Sequence, residues 1–381
     1  MSEQFDCIVV GVGGFGSGAL DSVASRGLNV LGLERFGIAH DRGSSHGHTR
    51  VTRQAYFEHP DYVPLLIESY RLWDELAEDF GQPLLDRCGL LLAGHPDGPA
   101  VSGTRFAAAE HGLTLEDVSR KRLEDDFPGF AIPEEFEAVW EAAGGFLFVE
   151  DAVTAHIRRA VDRGAVLKTD ETVISWTADN GAVEVTTDRG RYQAGALILA
   201  PGAWAPDLIP GLPIHWDIVR KPLFWFPATN DHYDRANGSG VFFLETPGGD
   251  FYGFPSLDGQ TVKLAEHSAG LSIEDPLAVD RDVVDADLPP LVEYLETYMP
   301  SLSTTPDRHA VCFYTRTPDR HFVVDRHPEH SHVAIAAGFS GHGFKFTPAI
   351  GATLADLALD GVTDRRIEFL SATRPGLAPQ D

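Results

Sequence analysis

One stretch at the head of the chain, FDCIVVGVGGFGSGALDSVASRGLNVLGLERF, constrains the fold more than any other feature. An apolar run from Cys7 to Val10 meets a turn in which Gly11, Gly13 and Gly16 fit G-x-G-x-x-G. An amphipathic stretch from Ser17 to Arg26 follows, and Val30 to Leu33 is apolar again. This is the pattern of a βαβ unit that binds a dinucleotide. The first glycine permits the tight turn, the second lets the backbone approach a pyrophosphate, and the third lets helix and strand pack closely, with the helix N-terminus facing the phosphates. Glu34 closes the second strand at the spacing expected of an acid that accepts hydrogen bonds from a ribose. Three glycines alone are a weak signal; strand, turn, helix, strand and acid in order are a strong one.

Two further segments extend the same sheet. In AVEVTTDRGRYQAGALILAPGAW, a hairpin around Asp188 and Gly190 leads into the apolar run Ala196 to Ala200, which reads as a buried parallel strand. In HVAIAAGFSGHGFKFTPAIGATLADLAL, a buried strand and a glycine-rich turn precede a helix from about Thr347. Between them, KPLFWFPA, GVFFLET and DFYGFPS are short apolar and aromatic strands separated by Pro, Gly, Asn and Asp turns, the signature of an antiparallel sheet. The expected fold class is α/β (α+β): a Rossmann-like nucleotide domain from residues 1–83, 144–220 and 306–381, with an interleaved antiparallel-sheet substrate domain from 84–143 and 221–305.

The chain of 381 residues is long enough for both cores. Its 57 acidic against 30 basic residues, a formal charge of -27, would repel a nucleic acid over most of the surface, so nucleic-acid binding is excluded. No apolar run reaches the 18 or so residues of a membrane span, the N-terminus lacks a signal-peptide pattern and the C-terminus lacks a Ser-Lys-Leu address. A cytoplasmic protein without membrane contact is expected, and a monomer. Cysteines 7, 88 and 312 form no metal-type spacing, so neither a metal site nor a disulfide framework is expected. Only five lysines occur (121, 168, 221, 263 and 345), which makes each worth inspecting.

The segments GVGGFGSGALDSVASRG, SSHGHTRVTRQAY, DYVPLLIESYRLWDEL, FYGFPS, VKLAEH, CFYTRTPDRHFVVDRHPEHS and AAGFSGHGFKF, spread over nearly the whole chain, resemble the monomeric sarcosine oxidase and N-methyltryptophan oxidase family of the D-amino-acid-oxidase-like flavoproteins. The resemblance implies FAD, a small substrate bearing a secondary amine and a carboxylate, and O2 as electron acceptor. It also implies residue roles. Cys312 heads the Cys-x-Tyr-Thr motif whose cysteine is bonded to the 8α-methyl of the flavin; without that motif a small buried hydrophobe would be the ordinary reading of a free cysteine, as it is for Cys7 and Cys88. Arg53 and Lys345 match the pair that clamps the substrate carboxylate, a task suited to the planar guanidinium fork. His46 and Arg50 match residues beside the flavin ring. His48 stands where relatives often carry aspartate, which puts exact substrate preference in doubt.

The turn holding Gly341, His342 and Gly343 corresponds to the one that brings backbone N–H groups toward the flavin pyrimidine edge; His342 is equally readable as a plain turn residue. Lys263 would pass for a solvent-facing strand lysine on pattern alone. Its match to the family's K-x-x-x-H strand makes it the cation on the flavin face opposite the clamp, where it stabilises superoxide. His267 of the same strand matches a histidine near the substrate, and Tyr252 and Tyr314 match aromatic pocket residues. The implied reaction is oxidation of a small N-methyl amino acid, sarcosine first among candidates, by hydride transfer to flavin N5, giving glycine, formaldehyde and hydrogen peroxide. Three other readings stay open: an oxidase of a larger or cyclic secondary amino acid (N-methyltryptophan, pipecolate or proline type), a flavin dehydrogenase that does not use oxygen, and a binding module without turnover.

Overall fold

The computed structural model describes residues 3–179 and 181–378. The N-terminal pattern folds as read: strand Glu3–Val10, helix Gly14–Ser25 and strand Val30–Leu33, the two strands parallel with Cys7 opposite Val30. Alternation along the first strand divides the core. Cys7 and Val9 face the helices Gly14–Ser25, Val149–Asp162 and Thr347–Leu359, while Ile8 and Val10 face a second cluster with Leu31, Leu197 and Ile335. The glycine-flanked run is indeed a buried parallel strand. Arg191–Leu199 pairs along its length with Glu3–Val10, and its last residues also pair in parallel with His330–Ala337. This sheet has eight strands, and its members come from three separated stretches of chain. Helices Gly14–Ser25 and Thr347–Leu359 come close to backbone contact, since a Cβ on Gly351 would lie 2.3 Å from the carbonyl carbon of Gly18.

A second sheet of nine strands carries the aromatic segments. It is predominantly antiparallel, but Val241–Thr246 runs parallel to Leu90–Gly94, so it is mixed where the sequence suggested pure antiparallel pairing. Single-strand patterning does not encode partner direction when both faces are buried, as they are along Leu90–Gly94. Arg308–Arg316, the strand bearing Cys312, belongs to this second sheet and pairs with Asp217–Pro227, with Cys312 directly opposite Lys221. A small third sheet joins Thr49–Thr52 and Leu85–Asp86 to Gly145–Phe148.

The helix layer is locked by a buried charge cluster. Asp21 on the first helix accepts from His156 Nδ1 at 2.8 Å, from Arg159 Nη2 at 2.6 Å and from Arg163 Nη1 at 3.0 Å. Burial alone would raise the Asp21 carboxyl, but hydrogen bonds and charge from His156 and Arg159 win and hold it at about 2, below the ordinary 3.8. Asp21→Ala would take the shared acceptor from buried His156 and from Arg163 while Arg159 keeps Asp79, and is expected to cost about 2–3 kcal/mol of stability in denaturant unfolding, below the cost of breaking a fully buried pair because Arg163 is partly solvated. Because the folded-state value is depressed, this contribution is fully present above pH 3.8 and is lost as pH falls toward about 2. The gap between wild type and variant should therefore close on acidification.

Candidate active site

One continuous cavity runs from the N-terminal glycine turn, between the two large sheets, to Lys345. At the turn, Gly11 has φ +79, and a Cβ there would meet the Ala200 carbonyl oxygen at 2.5 Å; a Cβ on Gly16 would sit 1.7 Å from the Gly11 oxygen. Both glycines are required by the protein itself. Gly13 is different: the nearest atom to a Cβ would be Ser45 Oγ at 4.0 Å, so no neighbouring protein atom demands a glycine there, and the residue opens onto the cavity. A backbone left bare at that point suits a ligand that must come close. Glu34 also lines the cavity. It accepts from Val12 N at 2.7 Å and Phe36 N at 3.0 Å, which holds the carboxylate still and leaves lone pairs for further donors. Two more groups in this part of the molecule have unmet capacity: Thr315 Oγ1 and His46 Nε2 are buried without a partner among the described residues. Glycine turn, acid and orphaned polar atoms together fit a dinucleotide such as FAD.

At the far end, five polar residues crowd into a buried cluster. Lys345, 3% exposed, donates to the His342 carbonyl at 2.6 Å and to Tyr56 Oη at 3.4 Å. His342 Nε2 faces the Arg320 carbonyl at 3.0 Å, so it carries the proton, and Nδ1 accepts from Tyr56 at 2.6 Å. Burial keeps this imidazole neutral, with its pKa near 4. Arg53 is stacked between the rings of Tyr56 and Phe57, at 4.4 and 4.2 Å from their centres, and pairs with Glu58. Burial pushes the Glu58 carboxyl up, but Arg53, then His342 and Lys345, outweigh it and hold it at about 2. A carboxylate thus sits on a buried arginine in the cavity wall, and Arg53 Nε has no partner among the described residues.

Lys263 is 4% exposed and has no carboxylate partner among the described residues. Its three protons are taken by the carbonyls of Gly47 at 2.6 Å and Thr49 at 2.8 Å and by Thr49 Oγ1 at 3.2 Å, with the Phe254 ring 4.5 Å away. Burial, then the Arg50 charge, pushes the ammonium well below the ordinary lysine range. The same loop is held on its N–H side by Glu150, which accepts from Gly47 N at 2.7 Å and His48 N at 3.1 Å. Left-handed Gly47 (φ +87) and His48 (φ +69) let the chain present these groups in opposite directions. His48 itself is exposed, with its ring 5.8 Å from Trp225.

Cys312 is buried in an apolar cluster with Tyr252 and Tyr314, and Phe313 to Thr315 line the cavity beside it. Tyr314 Oη lies 3.3 Å from His267 Nδ1 and 3.4 Å from Tyr252 Oη. Burial, then Lys221, drives the His267 imidazole well down, so it is neutral. Lys221 explains why this wall is stiff: its ammonium donates to Glu266 at 2.9 Å and to the Ala269 carbonyl at 2.7 Å, pinning the turn that follows His267.

The cavity wall therefore brings together Gly11, Gly13, Glu34, Arg50, Arg53, Tyr252, His267, Tyr314, Gly341, His342, Gly343 and Lys345. Gly16, His46, Lys263 and Cys312 do not line the cavity. Sequence reasoning missed Tyr56, Glu58, Glu141 and Glu150. In a chain with 57 acids, a glutamate at the end of a strand or the start of a helix, as Glu141 and Glu150 are, carries no mark that separates a buried hydrogen-bond acceptor from a solvated charge; Glu58, five residues past Arg53, was the one with a positional hint.

The FAD dependent oxidoreductase family model matches residues 6–357. The monomeric sarcosine oxidase of Streptomyces avermitilis is 38% identical over 384 residues, covering 100% of both chains. That of Bacillus sp. (strain B-0618) is 39% identical over 99% of this chain and 98% of its own. The N-methyl-L-tryptophan oxidase of Yersinia pestis (strain Pestoides F) is 32% identical over 97% and 99%. Among solved structures, NikD, an unusual amino acid oxidase essential for nikkomycin biosynthesis, superposes with a TM-score of 0.85 at 26% identity over 97% of this chain and 98% of that one. L-proline dehydrogenase from P. horikoshii shares the fold, with a TM-score of 0.84 at 22% identity over 98% of each chain. The protein belongs to the FAD-dependent oxidoreductases and, within them, to the family of monomeric sarcosine oxidases and N-methyl-L-tryptophan oxidases.

Proposed function

We propose that the protein is an FAD-dependent oxidase of a small N-methyl amino acid, with sarcosine the leading candidate, and that it works as a monomer. The observation that carries this reading is the buried cluster of Arg53, Glu58 and Lys345 at one end of a cavity whose other end is lined by the glycine turn and Glu34. Gly11, Gly13, Gly16 and Glu34 would hold the nucleotide half of FAD, and His46, Arg50, Cys312 and the turn Gly341–Gly343 its ring. When bound, FAD accepts the hydride and returns the electrons to oxygen.

This chain's own residues do the rest. Arg53 and Lys345 fix the substrate carboxylate, and Tyr252, Tyr314 and the neutral His267 shape the space around the amine. With His267 and His342 both uncharged, no buried imidazolium opposes an amine on its way in, while the Arg53 guanidinium favours binding of the substrate with its amine deprotonated. Burial, then Arg53, pushes the Lys345 ammonium well below the ordinary lysine range, so its part is that of a hydrogen-bond donor at the carboxylate. Lys263 supplies positive charge where oxygen is reduced. No helix among the described residues is long and apolar enough to cross a membrane.

A panel of N-methyl and cyclic amino acids tests the reading, with anaerobic bleaching and peroxide release followed in parallel. Fast bleaching with peroxide from sarcosine is expected. Bleaching without peroxide would mark a dehydrogenase, and a preference for bulky or cyclic members would move the substrate class. Covalent attachment through Cys312 has its own readout. Acid-precipitated wild type should stay yellow and gain the mass of FAD, and Cys312→Ser should release essentially all flavin to the supernatant. Release of all flavin by wild type would end the assignment.

A further inference from the structure

We infer that Glu141 is a positioning residue that acts on the substrate carboxylate through Arg53. The inference rests on the reading of Arg53 as a carboxylate anchor. Glu141 ends the strand Glu137–Glu141 of the second sheet and is 3% exposed. Its Oε1 accepts from Gln54 N at 2.6 Å and its Oε2 from Ala55 N at 3.3 Å. Those two N–H groups lie immediately after Arg53, where the chain has left the strand Thr49–Thr52.

Two consecutive peptide groups held by one carboxylate fix the direction in which the backbone presents the Arg53 side chain. The stretch from Arg53 to Glu58 puts Arg53 and Glu58 in the cavity wall, the Tyr56 and Phe57 rings flank the guanidinium, and Glu141 holds the backbone between Arg53 and Tyr56. A buried acid is costly, and this one makes no direct ion pair among those of the described residues. Burial raises its carboxyl to about 7 despite the Gln54 N–H and the Arg53 charge, so the fold retains it against a real penalty.

The groups that face Glu141 are few. They are Arg53, Tyr70 from the helix Val63–Phe80, whose hydroxyl donates to the Ala143 carbonyl at 3.1 Å, and the apolar Leu90 directly opposite on the neighbouring strand. A neutral hydrogen-bonding side chain could steady a surface turn. A carboxylate that accepts from both peptides suits a turn whose arginine must keep its fork in register with an incoming carboxylate, where a displacement of about 1 Å is expensive.

The test is a double-mutant cycle on the holoenzyme, read as the dissociation constant of propionate from the perturbation of flavin absorbance. Glu141→Gln keeps the shape but leaves one N–H without an acceptor, and, measured above pH 7 where the acid is ionised, is expected to weaken propionate about tenfold, the worth of one charged hydrogen bond. Against Arg53→Lys, whose flexible ammonium does not depend on how the backbone is presented, the same change should cost less than about twofold. Equal loss in both backgrounds would show that Glu141 merely supports the fold, and no loss in wild type would refute the inference outright. If Arg53→Lys and Arg53→Met both bind propionate as wild type does, the clamp reading itself falls. Should Glu141→Gln not yield folded holoenzyme, Glu141→Asp retracts the oxygens by one methylene and is expected to give the same pattern.

Discussion

Replacing Lys263 by methionine is expected to slow the reaction of the reduced enzyme with oxygen by about 10²–10⁴-fold, the range for losing one preorganised electrostatic stabiliser. The reductive half-reaction should change much less, because the carboxylate clamp is built from other residues at the end of the cavity. The structure sharpens this expectation in two ways. First, the ammonium is the shared partner of the Gly47 and Thr49 carbonyls, so its removal also frees a loop next to His46 and Arg50. A purely structural role would then slow both half-reactions alike, which anaerobic stopped-flow reduction followed by mixing with oxygenated buffer resolves. Second, burial and Arg50 depress the lysine pKa, so the charge that assists oxygen is present at low pH and is lost as pH rises through that lowered value. The oxygen step of wild type should fall with rising pH, and that dependence should vanish in Lys263→Met. Lys263→Arg retains charge but relocates the donors, and should recover only part of the rate. An unchanged oxygen rate in Lys263→Met would defeat the assignment.

Arg53→Met or Lys345→Met is expected to weaken binding of acetate-type inhibitors by roughly 2–4 kcal/mol, the cost of truncating one side of a buried charge pair. The two variants should differ in character. Arg53→Met strips Glu58 of its principal counter-charge, and the buried carboxylate then has only His342 and Lys345 to hold its pKa down. Its pKa should climb, so inhibitor affinity should acquire an added pH dependence over the range in which Glu58 titrates, beyond any that wild type draws from the lowered pKa of Lys345. Lys345→Met instead releases the His342 carbonyl and Tyr56 hydroxyl, leaving the Arg53–Glu58 pair intact. Calorimetric titration with acetate at several pH values separates these cases. Unchanged affinity in both variants would remove the pair from the site.

The nucleotide half of the molecule was legible because its demands are local. Gly16 answers to the Gly11 carbonyl within the same turn, Gly11 has a left-handed backbone of its own besides its close approach to Ala200, and the strands beside them are short apolar runs. That Arg53 and Lys345 share one cavity wall was expected only through the resemblance, since they lie 292 positions apart in number and nothing in either segment alone points to the other. What stayed hidden were contacts between distant segments that use common residues. Glu141 serves Gln54, Glu150 serves Gly47, and Lys221 braces the turn after His267. The parallel pairing of Val241–Thr246 with Leu90–Gly94 was hidden for the same reason, because an apolar strand looks alike in either direction. His48 was flagged as a change of charge near the site; its exposure shows that the ring points away from the cluster it adjoins.

The first sheet is threaded from three distant stretches, and this has a bearing on the order of events during synthesis. The first part of Arg191–Leu199 is covered on that side by the neighbouring strand Ala182–Thr187, but Leu197 to Leu199 must wait for His330–Ala337, and the turn from Gly338 to Lys345 that walls the cavity follows directly behind that last strand. A nascent chain therefore carries its glycine turn for more than 300 residues before the vessel around it can close. Contacts so remote in sequence make closure slow relative to local folding, and the open intermediate exposes the apolar strand edge meanwhile. A ligand that binds only the closed form contributes its stabilisation after closure, by mass action. A cofactor seated in this cavity would on that ground act as a latch on a finished container, stabilising what the apolar strands and the helix layer around Asp21 had already brought together.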